Sequence, residues 1–67
     1  MNWDQVKGNW KQLAGKAKAK WGKLTDDELT TAAGKREELL GILQERYGYE
    51  KERAEKELDE FASAIKP

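Results

Sequence analysis

Apolar residues recur along the first third of the chain at helical spacing. Val6, Trp10, Leu13, Ala17, Trp21 and Leu24 follow one another at steps of four, three, four, four and three, which places them on one side of an α-helix. The start of that helix is written locally: Asn2 is a good N-cap, Gln5 stands three residues on at capping-box spacing, and Met1 and Val6 occupy the flanking staple positions. A second start reads Leu24-Thr25-Asp26-Asp27-Glu28-Leu29, with Thr25 as cap, Glu28 as its reciprocal partner and the two leucines as staple. The two aspartates suit the positive end of a helix dipole. This helix is expected to be short, because Gly34 follows Ala32 and Ala33 where a C-capping glycine belongs.

Leu39, Leu40, Leu43 and Tyr47 form the next apolar stripe, closed by Gly48. In the last helix Ala54, Leu58, Phe61, Ala62 and Ile65 face one way, while Lys51 with Glu55, Glu52 with Lys56, and Arg53 with Glu57 are spaced to pair on the solvent side. No strand-like alternation is sustained anywhere. The pattern predicts an all-α chain of four helices, or three if Gly34 is bridged. The core is expected to collect Val6, Trp10, Leu13, Trp21, Leu24, Leu29, Leu40, Leu43, Tyr47, Leu58 and Phe61.

Composition sharpens this picture without changing it. With 67 residues, of which 37% are hydrophobic, the chain is expected to form one domain, residues 1–67, on a thin core. There is no cysteine for a disulfide or zinc-thiolate staple. No apolar run approaches the ~20 residues that span a bilayer, and Met1 to Lys7 lack the apolar stretch of a signal peptide, so the expectation is a cytoplasmic protein with no membrane span.

Charge is balanced overall and split along the chain. Thirteen Lys and Arg face thirteen Asp and Glu, yet residues 1–23 hold six lysines against Asp4 alone, and residues 24–67 hold seven basic against twelve acidic, leaving +5 in front and −5 behind. Such a split can hold two halves of a domain together, join copies head to tail, or bind a polyanion. Lys7, Lys11, Lys18 and Lys20 are the candidate surface for self-association or polyanion binding, and carboxylates such as Glu52, Glu55, Asp59 and Glu60 are their expected partners. A homo-oligomer is one expectation. Nucleic acid is the less favoured one, because the lysines form a collar instead of a stripe and no Arg in this segment offers a bidentate contact to a base.

Nothing points to catalysis. Histidine and cysteine, the usual acid–base and nucleophilic groups near neutral pH, are both missing. Asp26, Asp27 and Glu28 lack the spacing of a calcium loop and are explained by capping. No catalytic residue, cofactor site or metal site is expected, and the chain reads as a non-enzyme. The glycines are less easily explained. All six fall in two heptad-spaced triplets, Gly8, Gly15, Gly22 and Gly34, Gly41, Gly48, a weak internal echo offset by 26 residues. Each glycine inside a helix costs up to about 1 kcal/mol relative to alanine, and Gly8 and Gly15 lie away from the apolar stripe.

Gly8-Asn9-Trp10-Lys11-Gln12, Lys20-Trp21-Gly22-Lys23-Leu24-Thr25-Asp26-Asp27, Gly34-Lys35-Arg36 and Gln44-Glu45-Arg46-Tyr47-Gly48-Tyr49 together resemble the CsbD-like family of bacterial general stress proteins. The likeness runs nearly end to end and leaves out only Ser63 to Pro67. It implies two helical hairpins packed roughly crosswise, as in SAM domains, and induction under osmotic or general stress. It brings no catalytic or ligand residue with it.

Overall fold

Asn2 and Thr25 begin helices in the same way. The Asn2 Oδ1 accepts from the Gln5 N–H at 2.8 Å while the Gln5 Oε1 accepts from the Asn2 N–H at 3.1 Å. Thr25 Oγ1 accepts from the Glu28 N–H at 3.1 Å, and Glu28 Oε1 accepts from the Thr25 N–H at 3.0 Å. Both capping boxes satisfy first-turn donors that would otherwise be orphaned. The computed structural model describes residues 2–65, so Met1, expected at a staple position, lies outside the described residues, as do Lys66 and Pro67. Within them the chain forms α1 (Trp3–Gly8), α2 (Trp10–Lys20), α3 (Asp26–Ala32), α4 (Arg36–Tyr47) and α5 (Lys51–Ala64), with no strand among the described residues.

The helix count exceeds the expected four because the first helix is interrupted at Asn9. This residue sits at φ −109°, ψ 17°, between helical and extended geometry. Its backbone N–H bonds the carbonyls of Gln5 at 3.0 Å and Val6 at 3.2 Å, and its side-chain Nδ2 bonds the same Gln5 carbonyl at 2.9 Å. An asparagine side chain competing for a helix carbonyl, next to the weak helix former Gly8, bends the backbone there. Helix α2 then ends at Lys20, so Trp21 and Leu24 lie beyond it, yet both remain fully buried. The Lys18 ammonium reaches across to donate to the Leu24 carbonyl.

The turn between α3 and α4 also departs from expectation. The residue that closes α3 in the left-handed region is Ala33 (φ 52°, ψ 31°), and Gly34 follows at φ 76°. Gly34 presses against the α1–α2 bend, so closely that a Cβ there would stand 2.9 Å from the Lys7 Cα and 3.1 Å from the Trp10 ring. Gly48 closes α4 at φ 69° as the pattern predicted.

Successive helices pack on one another, α1 on α2, α2 on α3, α3 on α4 and α4 on α5. One cluster of buried apolar residues runs through all five, joining Val6, Trp10, Leu13, Trp21, Leu24, Leu29, Leu40, Leu43, Leu58 and Phe61 with Leu39, Ile65 and four alanines. Every residue expected in the core is there except Tyr47, which is half-buried and stacked on Tyr49 at 5.1 Å. Trp21 packs on Phe61 with ring centroids 5.0 Å apart, and the buried Trp10 Nε1 donates to the Leu29 carbonyl at 2.7 Å. No polar or charged residue is buried among the described residues.

Candidate functional site

The four lysines singled out from the sequence are not brought together on one task. Lys20, at the end of α2, reaches α5, with its Nζ 4.0 Å from Glu57 and 3.8 Å from Glu60. Trp21 anchors the same carboxylate, its Nε1 donating to Glu57 Oε1 at 3.2 Å. Lys18 is spent on the Leu24 carbonyl. Lys7 and Lys11 are exposed and make no ion pair among the described residues. Within one molecule, the expected meeting with carboxylates of the acidic half is made by Lys20 alone among the four. Position explains this: Lys7 and Lys11 are exposed on α1 and α2, whereas α5 packs chiefly on α4.

The acidic half neutralises itself through arginines that charge counting did not single out. Arg36 of α4 lies 3.8 Å from Glu55 and 3.6 Å from Asp59. Arg46 Nε donates to Glu28 Oε2 at 2.6 Å, tying the end of α4 to the start of α3. The Thr25 backbone N–H, and after it the Arg46 guanidinium, hold the Glu28 carboxyl below the usual glutamate range, and Glu28 in turn raises Arg46. Of the three pairs expected along α5, only Arg53 with Glu57 forms, at 3.7 Å. Glu55 turns to Arg36 instead.

Aromatic chemistry is similarly committed to structure. Trp10 and Trp21 are 8% and 1% exposed, which removes both as platforms for nucleobase stacking. The stacked Tyr47 and Tyr49 are covered on their outer faces by Lys23 at 5.1 Å and Arg53 at 4.7 Å, and the Tyr47 hydroxyl accepts from the Lys23 N–H at 3.1 Å. Shallow concavities lie among the described residues. One, of about 420 Å³, lies along α5 between Glu52, Glu55, Lys56, Asp59, Glu60 and Ser63. Another, about 300 Å³, runs between α2 and α3 past Ala14, Gly15, Lys18 and Leu29. Among the described residues no group of three or more acidic side chains is placed to hold a metal ion, and no helix is long and apolar enough to cross a membrane.

Comparison with known proteins gives a consistent answer. The family model described as CsbD-like matches residues 4–56. The UPF0337 protein ECA0631 of Pectobacterium atrosepticum is 69% identical over 58 residues, covering 87% of this chain and 84% of that protein. The UPF0337 protein YjbJ of Escherichia coli K12 is 60% identical over 58 residues, with 87% and 84% covered. The UPF0337 protein PA4738 of Pseudomonas aeruginosa is 57% identical over 65 residues, with 97% of this chain and all of that protein covered.

Proposed function

This chain belongs to the CsbD-like family, and from that premise we propose that it is a non-enzymatic bacterial protein of the general or osmotic stress response, acting in the cytoplasm by protein interaction, self-association foremost. The observation that carries the reading is the unspent charge of the front segment. Among the described residues, Lys20 is the one lysine of residues 1–23 paired with a carboxylate, so most of the segment's positive charge is left unmatched by carboxylate within the molecule. The absence of histidine and cysteine and the lack of any buried charged group among the described residues support an action by surface contact over chemistry. The same reading groups the helices as two hairpins packed crosswise, supported by the packing of α2 on α3 and of α4 on α5.

Exposed, unpaired Lys7 and Lys11 also favour a second reading, a weak, sequence-indifferent grip on nucleic acid. Affinity capture from stressed and unstressed cells, at low and at moderate salt, separates the two. Protein interaction predicts recovery of protein, the chain itself included, in nuclease-treated extract. A nucleic-acid module predicts retention that nuclease abolishes and that falls steeply with salt, since each neutralised phosphate adds to the slope of affinity against salt.

A further inference from the structure

Rows of residues four apart on the outer faces of α2 and α4 answer each other across the internal echo. Lys7, Lys11, Gly15 and Ala19 form one row, Glu37, Gly41 and Glu45 the other, and every one of these residues is exposed. Steps of four keep Lys11, Gly15 and Ala19 on one ridge of α2 and Glu37, Gly41 and Glu45 on one ridge of α4, facing away from the core residues Leu13 and Ala17 on α2 and Leu39 and Leu43 on α4, while Lys7 extends the first row from the end of α1 across the Asn9 bend. The offset of 26 residues maps Lys11 onto Glu37, Gly15 onto Gly41 and Ala19 onto Glu45. The frames coincide, with lysine answering glutamate at the Lys11–Glu37 position, and the first row as a whole carries positive charge where the second carries negative.

Nothing in the chain itself accounts for either row. A Cβ at Gly15 or Gly41 would meet no atom within 4 Å, and neither glycine has a positive φ, so neither a turn nor a close internal approach requires it. Among the described residues Lys7, Lys11 and Glu37 make no ion pair, and Arg46, beside Glu45, is turned to Glu28. A glycine on an exposed ridge leaves room for another backbone to come close. Opposite charges flanking two such ridges set the partner and the register.

We infer that the lysine–glycine row of α2 docks on the glutamate–glycine row of α4 in a second copy of this chain. This rests on the self-association reading above and supplies its geometry. The two rows are different patches of one surface, so the contact is heterologous: each copy offers one row of each kind, and the assembly grows as a ring or an open chain. Two rows of two to three turns bury less than the ~1,200 Å² of a stable interface, which makes the contact weak and dependent on abundance and salt.

The test is sedimentation of the purified chain at millimolar concentration in low salt, with melting temperature recorded alongside. The wild type is expected to self-associate reversibly and to come apart as salt is added. Lys7→Glu with Lys11→Glu, and separately Glu37→Lys with Glu45→Lys, should each weaken association by about tenfold or more. Mixed in equal amounts, the two double variants should form heterodimers, because the first keeps the acidic row and the second the basic one. Gly15→Gln should raise the melting temperature while weakening association, a combination that a fold defect cannot produce. A wild type that stays monomeric at low salt overturns the interface, and protein recovered in the capture experiment would still uphold the broader reading. Association left intact by both charge reversals overturns the interface while self-association itself stands.

Discussion

The turn between α3 and α4 and the outer ridges of α2 and α4 are all marked by glycine, and glycine does opposite work in the two places. At the turn, Gly34 is buried at φ 76° with backbone and indole atoms within 3.2 Å of where a side chain would begin. On the ridges, Gly15 and Gly41 are exposed, helical, and surrounded by open space. Heptad spacing in the sequence presents them as one series. Only the three-dimensional setting separates a glycine the fold requires from one it merely carries at a cost.

The comparison breaks most readily at the turn. Trp10 lies beneath Gly34 and ties α2 to α3 through the Leu29 carbonyl, so Trp10→Ala should cost about 3 to 5 kcal/mol, comparable with the whole stability of so small a domain. Circular dichroism at room temperature should then show a largely unfolded chain. Gly34→Ala comes next. It adds the penalty of a left-handed alanine to an overlap with the Lys7 backbone that cannot simply swing aside, for a loss of about 3 kcal/mol in chemical denaturation. A loss below about 1 kcal/mol would mean that the turn is looser than its contacts.

What could be read from the sequence divides along similar lines. The Asn2 and Thr25 caps were legible because their bonds span three residues, and the core was legible because burial follows helical periodicity through Trp10, Leu13, Leu43 and Leu58. The bend at Asn9 was hidden because the step from Val6 to Trp10 crosses it without losing phase. The α5 pairs were only partly legible: spacing offered Lys51 to Glu55, but Arg36 on the neighbouring helix is nearer to hand. For the candidate lysines, a charge sum gives a magnitude and no direction. Lys20 faces α5 and Lys7 faces away, a difference set by where α5 packs.

On the ridges the sign of the effect reverses. Gly15→Ala and Gly41→Ala replace the poorest ordinary helix former with the best at positions free of neighbours, so each should stabilise by up to about 1 kcal/mol. The sites are on different helices, and the double variant should show nearly the sum. Thermal melts of the two singles and the double check this. A loss of stability at either site would show that the open space is occupied in solution even at low concentration.

Ala33 makes a smaller test of the turn. It is the one non-glycine residue at positive φ among the described residues, at 52°. Ala33→Gly relieves the strained conformation and adds freedom to the unfolded chain, two effects that oppose each other. The net expectation is a gain of about 0.5 to 1 kcal/mol.

The smallest effect lies at the far end of the α3–α4 pair from the Gly34 turn, where Glu28 and Arg46 clamp the start of α3 to the end of α4. The Glu28 carboxylate accepts from the Thr25 N–H and from Arg46, and both favour its charged form, so its folded pKa lies below that of the unfolded chain. The unfolded state therefore holds more protons over the acid range where the two differ. Stability from this group is fully present above the unfolded glutamate value and is lost as pH falls through the folded one. The pair is solvent-exposed, so the contribution is small and screened by salt. Glu28→Gln should accordingly lower the neutral plateau slightly and flatten the acid limb of stability against pH by the same small amount, and raised salt should reproduce part of that flattening in the wild type. Denaturation midpoints followed downward from neutral pH provide the measurement. An acid limb of unchanged slope in Glu28→Gln would show that α3 and α4 are held together at the Gly34 turn alone, with the Arg46 clamp contributing nothing.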